Sequence, residues 1–353
     1  MPIPKVLFLY TEIADYFLAC CRALVNAGAE VHVVCWPVNP EAPFHFKEIP
    51  GVRLYNRKAY DTAALEKVAA EIEPAVIVCS GWIDKGYLKL CRQFKNAVPT
   101  VLIMDNHWRG GFKQHIACMA SPFYLMSKFS HCWVPGKPQY PYARKLGFST
   151  EKIMTGFYSA DTSRFNELYE VSKREKENDF PRRLIYVGRY HVFKGIKDLW
   201  KAFVELQDES PNEWELWCLG TGDVKPLSHP KIRHFGFVQP SAIGSFVKDT
   251  GVFVLPSHKE PWGVAVHEFA AAGFPLVCSD RVGAAAEFVE QGLNGYIYGA
   301  GDVDELKHVL RKIISKSDQE LKKMGRRSHE LAQVITPMKW AATLNRVMQT
   351  SCH

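Results

Sequence analysis

The sequence lacks long apolar runs. No stretch approaches the roughly 18 consecutive apolar residues that a membrane-spanning helix needs. The segment Val6–Tyr10 is apolar, but it is too short for the core of a signal peptide and is typical of a first β-strand. We therefore expect a cytoplasmic protein with no transmembrane helix.

Paired metal-binding cysteines are also missing. The ten cysteines include no Cys-x2-Cys, and no Cys/His spacing suits zinc. Cys35, Cys79, Cys218 and Cys278 lie in apolar runs typical of buried strands. The sequence therefore predicts reduced core thiols. No Gly-x-Gly-x-x-Gly follows a predicted strand, which argues against a dinucleotide oxidoreductase.

The positive charge is modest and uneven. The formal net charge is +7, and residues 1–165 hold 19 Lys+Arg against 13 Asp+Glu. This excess is too diffuse for a nucleic-acid interface, which needs a clustered basic stripe. Lys85, Lys89, Arg92 and Lys95 do recur at helical spacing. A solvated helix face is the simpler interpretation, and a weak contact with anionic lipid head groups is the alternative.

Short β-branched runs alternate with segments of helical period, which predicts parallel sheets with right-handed crossovers. The pattern is interrupted by a charged run at 172–179 and then starts again. We therefore predict two doubly wound α/β domains. Their predicted bounds are 1–170 for an acceptor-side domain, 171–182 for a linker, 183–335 for a donor-binding domain and 336–353 for a terminal helix that returns to the first domain. In such folds the cleft between two domains is the expected ligand site.

The segment from Val252 to Gly273 carries the most chemistry. A buried strand is followed by a polar loop to Glu260, and a helix is predicted to start near Gly263. The first helical turn leaves amides unpaired, which favours a bound anion such as a phosphate. Glu260 and Glu268 flank this position as acceptors for sugar hydroxyls, although a helix-terminal and a solvated glutamate would also explain them.

The Glu260-x7-Glu268 pair, with Trp-Gly between and Ala-Ala-Ala-Gly-x-Pro after, resembles the signature of retaining glycosyltransferases of family 4. Other motifs follow in that family's order: Val187-Gly188-Arg189 with Lys194-Gly195, Leu219-Gly-Thr-Gly222, Phe235-Gly-Phe237 and Gly283-Ala-Ala-Ala-Glu287. The resemblance is dense from about residue 150 onward and architectural before it. It implies a GT-B fold, in which two Rossmann-like domains face a cleft.

The resemblance also implies roles for individual residues. Arg189 and Lys194, after Gly188, would offset the diphosphate of a nucleotide-sugar. The amides of Gly263 and Val264 would bind its distal phosphate. Glu268 would accept a ribose hydroxyl, and Glu260 would contact the transferred sugar as a catalytic residue.

The first domain matches the family less closely. The turn after its first strand, residues 10–15, has no glycine. Where the family often has a histidine near the reacting centre, this chain has Asp105, with His107 two residues later. Both are candidate catalytic residues, and Asp105 could instead cap the next segment. Asp302-Val-Asp304 is interpreted as a helix cap and not as a metal site.

The resulting hypothesis is a metal-independent, retaining glycosyltransferase without a cofactor. It would transfer a sugar from a nucleotide-diphosphate donor to a hydroxyl of a glycan or glycolipid acceptor, and could associate weakly with the inner face of the membrane through the N-terminal domain. Nucleic acid is not an expected partner. A sugar-nucleotide epimerase or phosphorylase of the same architecture, or a non-catalytic subunit that binds nucleotide-sugars, is the alternative.

Overall fold

A computed structural model describes residues 3–38, 43–44 and 48–349 of the chain. The chain forms two units. The first consists of Met1–Ser159 together with Ile335–His353, and the second of Ala160–Val334. Each unit is built on one parallel β-sheet with helices in most of the connections between successive strands, so the predicted α/β class is confirmed.

The first unit has a seven-stranded sheet in the order β3-β2-β1-β4-β5-β6-β7, and every pair is parallel. Its strands are β1 Lys5–Tyr10, β2 Glu30–Cys35, β3 Val52–Asn56, β4 Val76–Ser80, β5 Thr100–Ile103, β6 His131–Trp133 and β7 Ile153–Met154. The helices between them are α1 Asp15–Asn26, α2 Thr62–Ile72, α3 Lys85–Phe94, α4 Phe112–Tyr124 and α5 Tyr140–Lys145.

Both faces of this sheet are covered. Alternate residues of β1 belong to different cores: Val6, Phe8 and Tyr10 pack on one face, and Leu7 and Leu9 on the other. Because successive side chains of a strand point to opposite faces, a strand buried on both sides has a continuous apolar sequence. This explains why the central strands were easy to predict.

The second unit begins with α6 Thr162–Asn178 and repeats the design with six parallel strands in the order β10-β9-β8-β11-β12-β13. Its strands are β8 Arg183–Val187, β9 Glu215–Leu219, β10 Ile232–His234, β11 Val252–Leu255, β12 Leu276–Ser279 and β13 Gly295–Tyr298. The helices after α6 are α7 Ile196–Glu209, α8 Ile243–Asp249, α9 Val264–Ala271, α10 Ala285–Phe288, α11 Val303–Ile314 and α12 Asp318–Ala332.

The last helix, α13 Pro337–Gln349, belongs to the first unit and packs against α1. Its Trp340 is buried against the rings of Phe8 and Trp133. The indole nitrogen of Trp340 donates a hydrogen bond to the carbonyl of Phe157 at 2.7 Å. Residues 350–353 of the predicted terminal helix lie outside the described residues.

The predicted linker at 171–182 is wrong over most of its length. Residues 171–178 are the second half of α6, and the units divide at 159/160. Buried side chains recur along α6 at spacings of three and four: Phe165, Tyr169, Ser172 and Lys176. The other charged residues lie outside this buried stripe, which is why the segment was interpreted as a solvated linker.

The nine cysteines that the structure describes are all free thiols, and seven of them are buried. This agrees with the predicted core thiols, while Cys352 lies outside the described residues. Within residues 3–38, 43–44 and 48–349, no helix is both long and apolar enough to cross a bilayer.

Lys176 gives the second unit a specific pH dependence. Burial lowers the pKa of its ammonium to about 7, although the negative charge of Glu175 acts in the opposite direction. The Lys176 nitrogen lies 3.8 Å from the ring centre of Phe274. Between pH 7 and 10.5 the unfolded chain therefore binds one more proton than the folded chain, so stability rises with pH by up to about 1.4 kcal/mol per unit. We expect Lys176→Met to remove this rise and to stabilise the unit at pH 7.

Urea denaturation across this pH range measures the effect. Lys173→Met, which changes a more exposed lysine of the same helix, is the matched control and should keep the wild-type slope. An unchanged pH slope in Lys176→Met would show that this lysine stays charged in the folded protein.

Candidate functional site

The predicted donor residues of the second unit lie where two neighbouring strands end. Strands β8 and β11 are neighbours in the sheet. The chain continues from β8 to β9 and β10 on one side of the sheet, and from β11 to β12 and β13 on the other side, so the topological switch point lies between β8 and β11. Gly188 and Arg189 follow β8, and the loop to Glu260 follows β11. In open α/β sheets, ligands bind beyond the carboxyl ends of strands at this point.

The two loops are in direct backbone contact. A 3₁₀ turn at Val192–Lys194 ends at Gly195, which has a left-handed φ of +67°. The carbonyl of Phe193 accepts hydrogen bonds from the amides of His258 and Lys259 at 2.9 and 3.1 Å. A Cβ at Gly195 would lie only 2.0 Å from the carbonyl oxygen of Pro256. The close approach therefore requires glycine.

This contact brings two predicted residues together. Lys194 Nζ lies 2.5 Å from Glu260 Oε2, and both side chains are largely buried, at 15% and 12% exposure. The same carboxylate oxygen accepts a hydrogen bond from Ser257 Oγ at 3.4 Å. Largely buried charges need partners, and the lysine and the hydroxyl provide them here.

The loop of Glu260 is also held from behind. Glu260 pairs with Val282 in an isolated parallel bridge, and its carbonyl accepts a hydrogen bond from the amide of Gly283 at 3.1 Å. The amide of Ala284 binds the carbonyl of Trp262 at 2.9 Å. The alanine-rich motif after Gly283 thus fixes the backbone on which Glu260 is placed.

Helix α9 begins beside this carboxylate. Gly263 is its N-cap, with φ +92°, and a Cβ there would lie 3.0 Å from Cγ of Glu260. Among the residues that the structure describes, none accepts a hydrogen bond from the amides of Gly263, Val264 or Ala265. Glu268 lies one turn after Val264 on the same face. The N–H groups of the first turn and the partial positive charge of the helix N-terminus therefore favour an anion at the start of α9.

Arg189 and Gly188 lie over a buried tyrosine that the sequence did not suggest. The hydroxyl of Tyr186 donates a hydrogen bond to the carbonyl of Arg189 at 2.8 Å, and a Cβ at Gly188 would lie 2.8 Å from that hydroxyl. Burial raises the pKa of Tyr186, with a contribution from the charge of Glu260. Tyr186 therefore stays a neutral donor that supports the Arg189 backbone. Ser257 was also not predicted, although both hydrogen bonds join residues only three positions apart in the sequence.

The candidates of the first unit follow β5. Asp105 Oδ2 lies 3.4 Å from the hydroxyl of Tyr158. Burial raises the pKa of Tyr158, and the neighbouring Asp105 raises it further. The carbonyl of His107 accepts a hydrogen bond from the side-chain amide of Gln114 at 2.6 Å. The alternative that Asp105 caps the next helix is wrong, because α4 starts at Phe112 with Gly111 as its N-cap.

The Asp302-Val-Asp304 segment is a helix start, as predicted. Asp302 accepts a hydrogen bond from the amide of Glu305 at 2.8 Å and caps α11. Across residues 3–38, 43–44 and 48–349, no group of three or more His, Cys, Asp or Glu side chains is arranged to hold a metal ion.

Most of the second unit is similar to a known protein family. Residues 170–330 match the model of the family described as glycosyl transferases group 1. The matched residues include Arg189, Lys194, Glu260 and Glu268, so the candidate site lies within the part of the chain that is similar to this family.

Among curated proteins, the chain is 22% identical over 258 residues to a lipopolysaccharide 1,6-galactosyltransferase of Salmonella typhimurium, covering 69% of this chain and 67% of that enzyme. It is 32% identical over 143 residues to a glycogen synthase of Mycobacterium tuberculosis, covering 38% and 34%. The chain therefore spans about a third of the second relative.

Among solved structures, the chain resembles a sucrose-phosphate synthase from Thermosynechococcus elongatus, with a TM-score of 0.74, 17% identity and 99% of each chain covered. This likeness establishes the fold: the chain has the GT-B architecture of glycosyltransferases, as predicted.

The contact at Gly195 can be tested by adding one methyl group. Gly195→Ala places a Cβ against the Pro256 carbonyl, whereas Gly301, also left-handed at φ +84°, has open space at the same position. Both substitutions carry the strain of left-handed alanine, of about 1–2 kcal/mol. Overpacking should cost Gly195→Ala about 1–3 kcal/mol more. Chemical denaturation of the two variants measures this difference, and equal losses would show that the loops separate without cost.

Proposed function

We propose that this protein is a retaining, metal-independent glycosyltransferase that uses a nucleotide-diphosphate-sugar donor. The observation that carries the proposal is the largely buried Lys194–Glu260 pair beside the N-terminal amides of α9, within the matched residues. The arrangement offers positive groups for a diphosphate and carboxylates for sugar hydroxyls. We therefore propose that the donor binds to the second unit.

Lys194 can serve two partners at once. An ammonium has three N–H donors, so it can keep its bond to Glu260 and still donate to a phosphate oxygen. Arg189 adds a planar charged fork, and the amides of Gly263 and Val264 add fixed dipoles. Because these groups offset the charge of a diphosphate, the site does not require a divalent ion or another cofactor.

In the reaction we propose, the bond between the anomeric carbon and the phosphate oxygen breaks while a bond to the acceptor oxygen forms on the same face. The departing phosphate takes the acceptor proton. Lys194 and Arg189 stabilise the charge that grows on the leaving group. Glu260, fixed by Lys194 and Ser257, contacts the transferred sugar, and Glu268 accepts a ribose hydroxyl.

We further propose a glycan or glycolipid as the acceptor. The similarity to a lipopolysaccharide 1,6-galactosyltransferase supports this class, because the name of that enzyme refers to lipopolysaccharide, which is a glycolipid. In the first unit, Asp105 and His107 are the candidates for contact with substrate. We propose the cytoplasm as the place of reaction, where nucleotide-sugars would be the donors.

Removing one cation from the site should greatly reduce transfer. We expect Lys194→Ala to lower kcat/KM by at least about a hundredfold, as loss of one preorganised donor to developing charge does in other enzymes. Arg189→Ala should act in the same direction. Lys323→Ala, on the exposed surface of α12, is the control and should keep wild-type rates. Near-normal turnover in both site variants would refute the assignment.

Product analysis tests the reaction type. A thermal-shift screen with UDP-, GDP-, ADP- and CMP-sugars first identifies the donor. We then expect transfer only when an acceptor is present, with the anomeric configuration of the donor kept in the NMR spectrum and no loss on adding EDTA. An inverted product or a requirement for metal would contradict the proposed chemistry. Conversion of the donor alone would indicate an epimerase, and absence of any turnover a non-catalytic subunit.

A further inference from the structure

Helix α4 of the first unit exposes an apolar face. Phe112, Ile116, Met119 and Phe123 follow one another at spacings of four, three and four residues, which places them along one side of the helix. Their exposed fractions are 81%, 48%, 77% and 87%. Ser121 is the only buried residue of α4. We call these four side chains the α4 face. A continuous exposed apolar surface of this kind marks an interaction site.

The chain around α4 is strongly basic. Residues 85–150 contain a single acidic residue, Asp105. The same segment contains ten cations: Lys85, Lys89, Arg92, Lys95, Arg109, Lys113, Lys128, Lys137, Arg144 and Lys145. The small positive excess of the N-terminal half is thus concentrated in this one segment.

Several of these cations lie next to α4 in the structure. Lys113 is exposed on the helix itself, and Arg109 is exposed just before it. At the other end, Lys128 Nζ lies 3.9 Å from the ring centre of Tyr124. Two lysines of the patch predicted on α3 have partners within the protein: Lys89 pairs with Glu66, and Lys95 donates to the Met126 carbonyl. The apolar residues of α3 are buried or half-buried, so the exposed apolar surface lies on α4 and not on α3.

We propose that the α4 face inserts into the interface of an anionic lipid bilayer. Apolar and aromatic side chains on one side of a helix enter the boundary between head groups and acyl chains, and flanking cations bind anionic head groups. Lysines suit this position because their alkyl stems can cover apolar surface while the charge stays in water. The surface lies entirely in the first unit, so its lipid binding is independent of the donor site.

Charge argues against a second copy of the chain as the occupant. In a two-fold symmetric dimer the same surface meets itself. Such a contact would bring together two segments that each hold ten cations and one acidic residue within residues 85–150, so the two copies would repel each other. An anionic bilayer offers an apolar interior for the α4 face and negative head groups for the cations around it.

The test is co-sedimentation of the full chain with vesicles, without any sugar donor. We expect binding to equal parts of phosphatidylglycerol and phosphatidylcholine to be at least tenfold stronger than to phosphatidylcholine alone, and to weaken at high salt. The double variant Phe112→Ser/Phe123→Ser should lower the partition coefficient at least tenfold, because it removes two inserting rings.

Matched controls separate the α4 face from general stickiness. Met119 and Met338 are exposed to 77% and 78%, but Met338 lies on α13. Met119→Ser should weaken vesicle binding several-fold, and Met338→Ser should leave it unchanged. Lys113→Glu should likewise weaken binding, whereas Lys323→Glu on α12 should not. Circular dichroism verifies that each variant stays folded.

Three results would overturn the proposal. The first is no binding to the anionic vesicles. The second is binding that the α4 variants leave unchanged. The third is a dimer in solution that Phe112→Ser/Phe123→Ser dissociates, because a second copy would then cover this face. Failure here would leave the proposed transfer reaction untouched, because the loss of transfer in Lys194→Ala and Arg189→Ala can be measured with a water-soluble glycan acceptor and no vesicles.

Discussion

The close backbone contact between the loops after β8 and β11 determines the rest of the site. A residue with any side chain at 195 would push the Pro256 carbonyl away and separate Lys194 from Glu260. The carbonyl of Phe193, bound by two consecutive amides, keeps the loops together without using any functional side chain. Backbone groups therefore supply the rigidity, and the side chains remain available for chemistry.

The electrostatics of the site follow from that contact. Glu260 sits next to the start of α9, where a carboxylate alone would compete with an incoming anion for the helix amides. Lys194 pairs with this carboxylate and offsets its charge. The N-terminus of α9 therefore still attracts a phosphate although Glu260 lies beside it.

Much of the fold could be predicted because strands buried on both faces have distinctive sequences. Two strands of the first unit lack that signal. Strand β3 is half exposed, with polar residues such as Arg53, and β7 is only two residues long. Part of α6 was mistaken for a linker because lysine is usually exposed in proteins, whereas Lys176 is buried. Its place in a stripe with Phe165 and Tyr169 was the available signal, and composition concealed it.

The site was predictable only where its residues are close in sequence. Glu260 and Gly263 follow from a strand, loop and helix in succession, whereas the pairing of Lys194 with Glu260 spans 66 residues and depends on sheet order. The same limit applies to α4. Apolar residues at helical spacing usually indicate a buried face, and nothing local shows that this one is exposed. Only the fold places the α4 face on the surface, where it lies beside cations of residues 85–150.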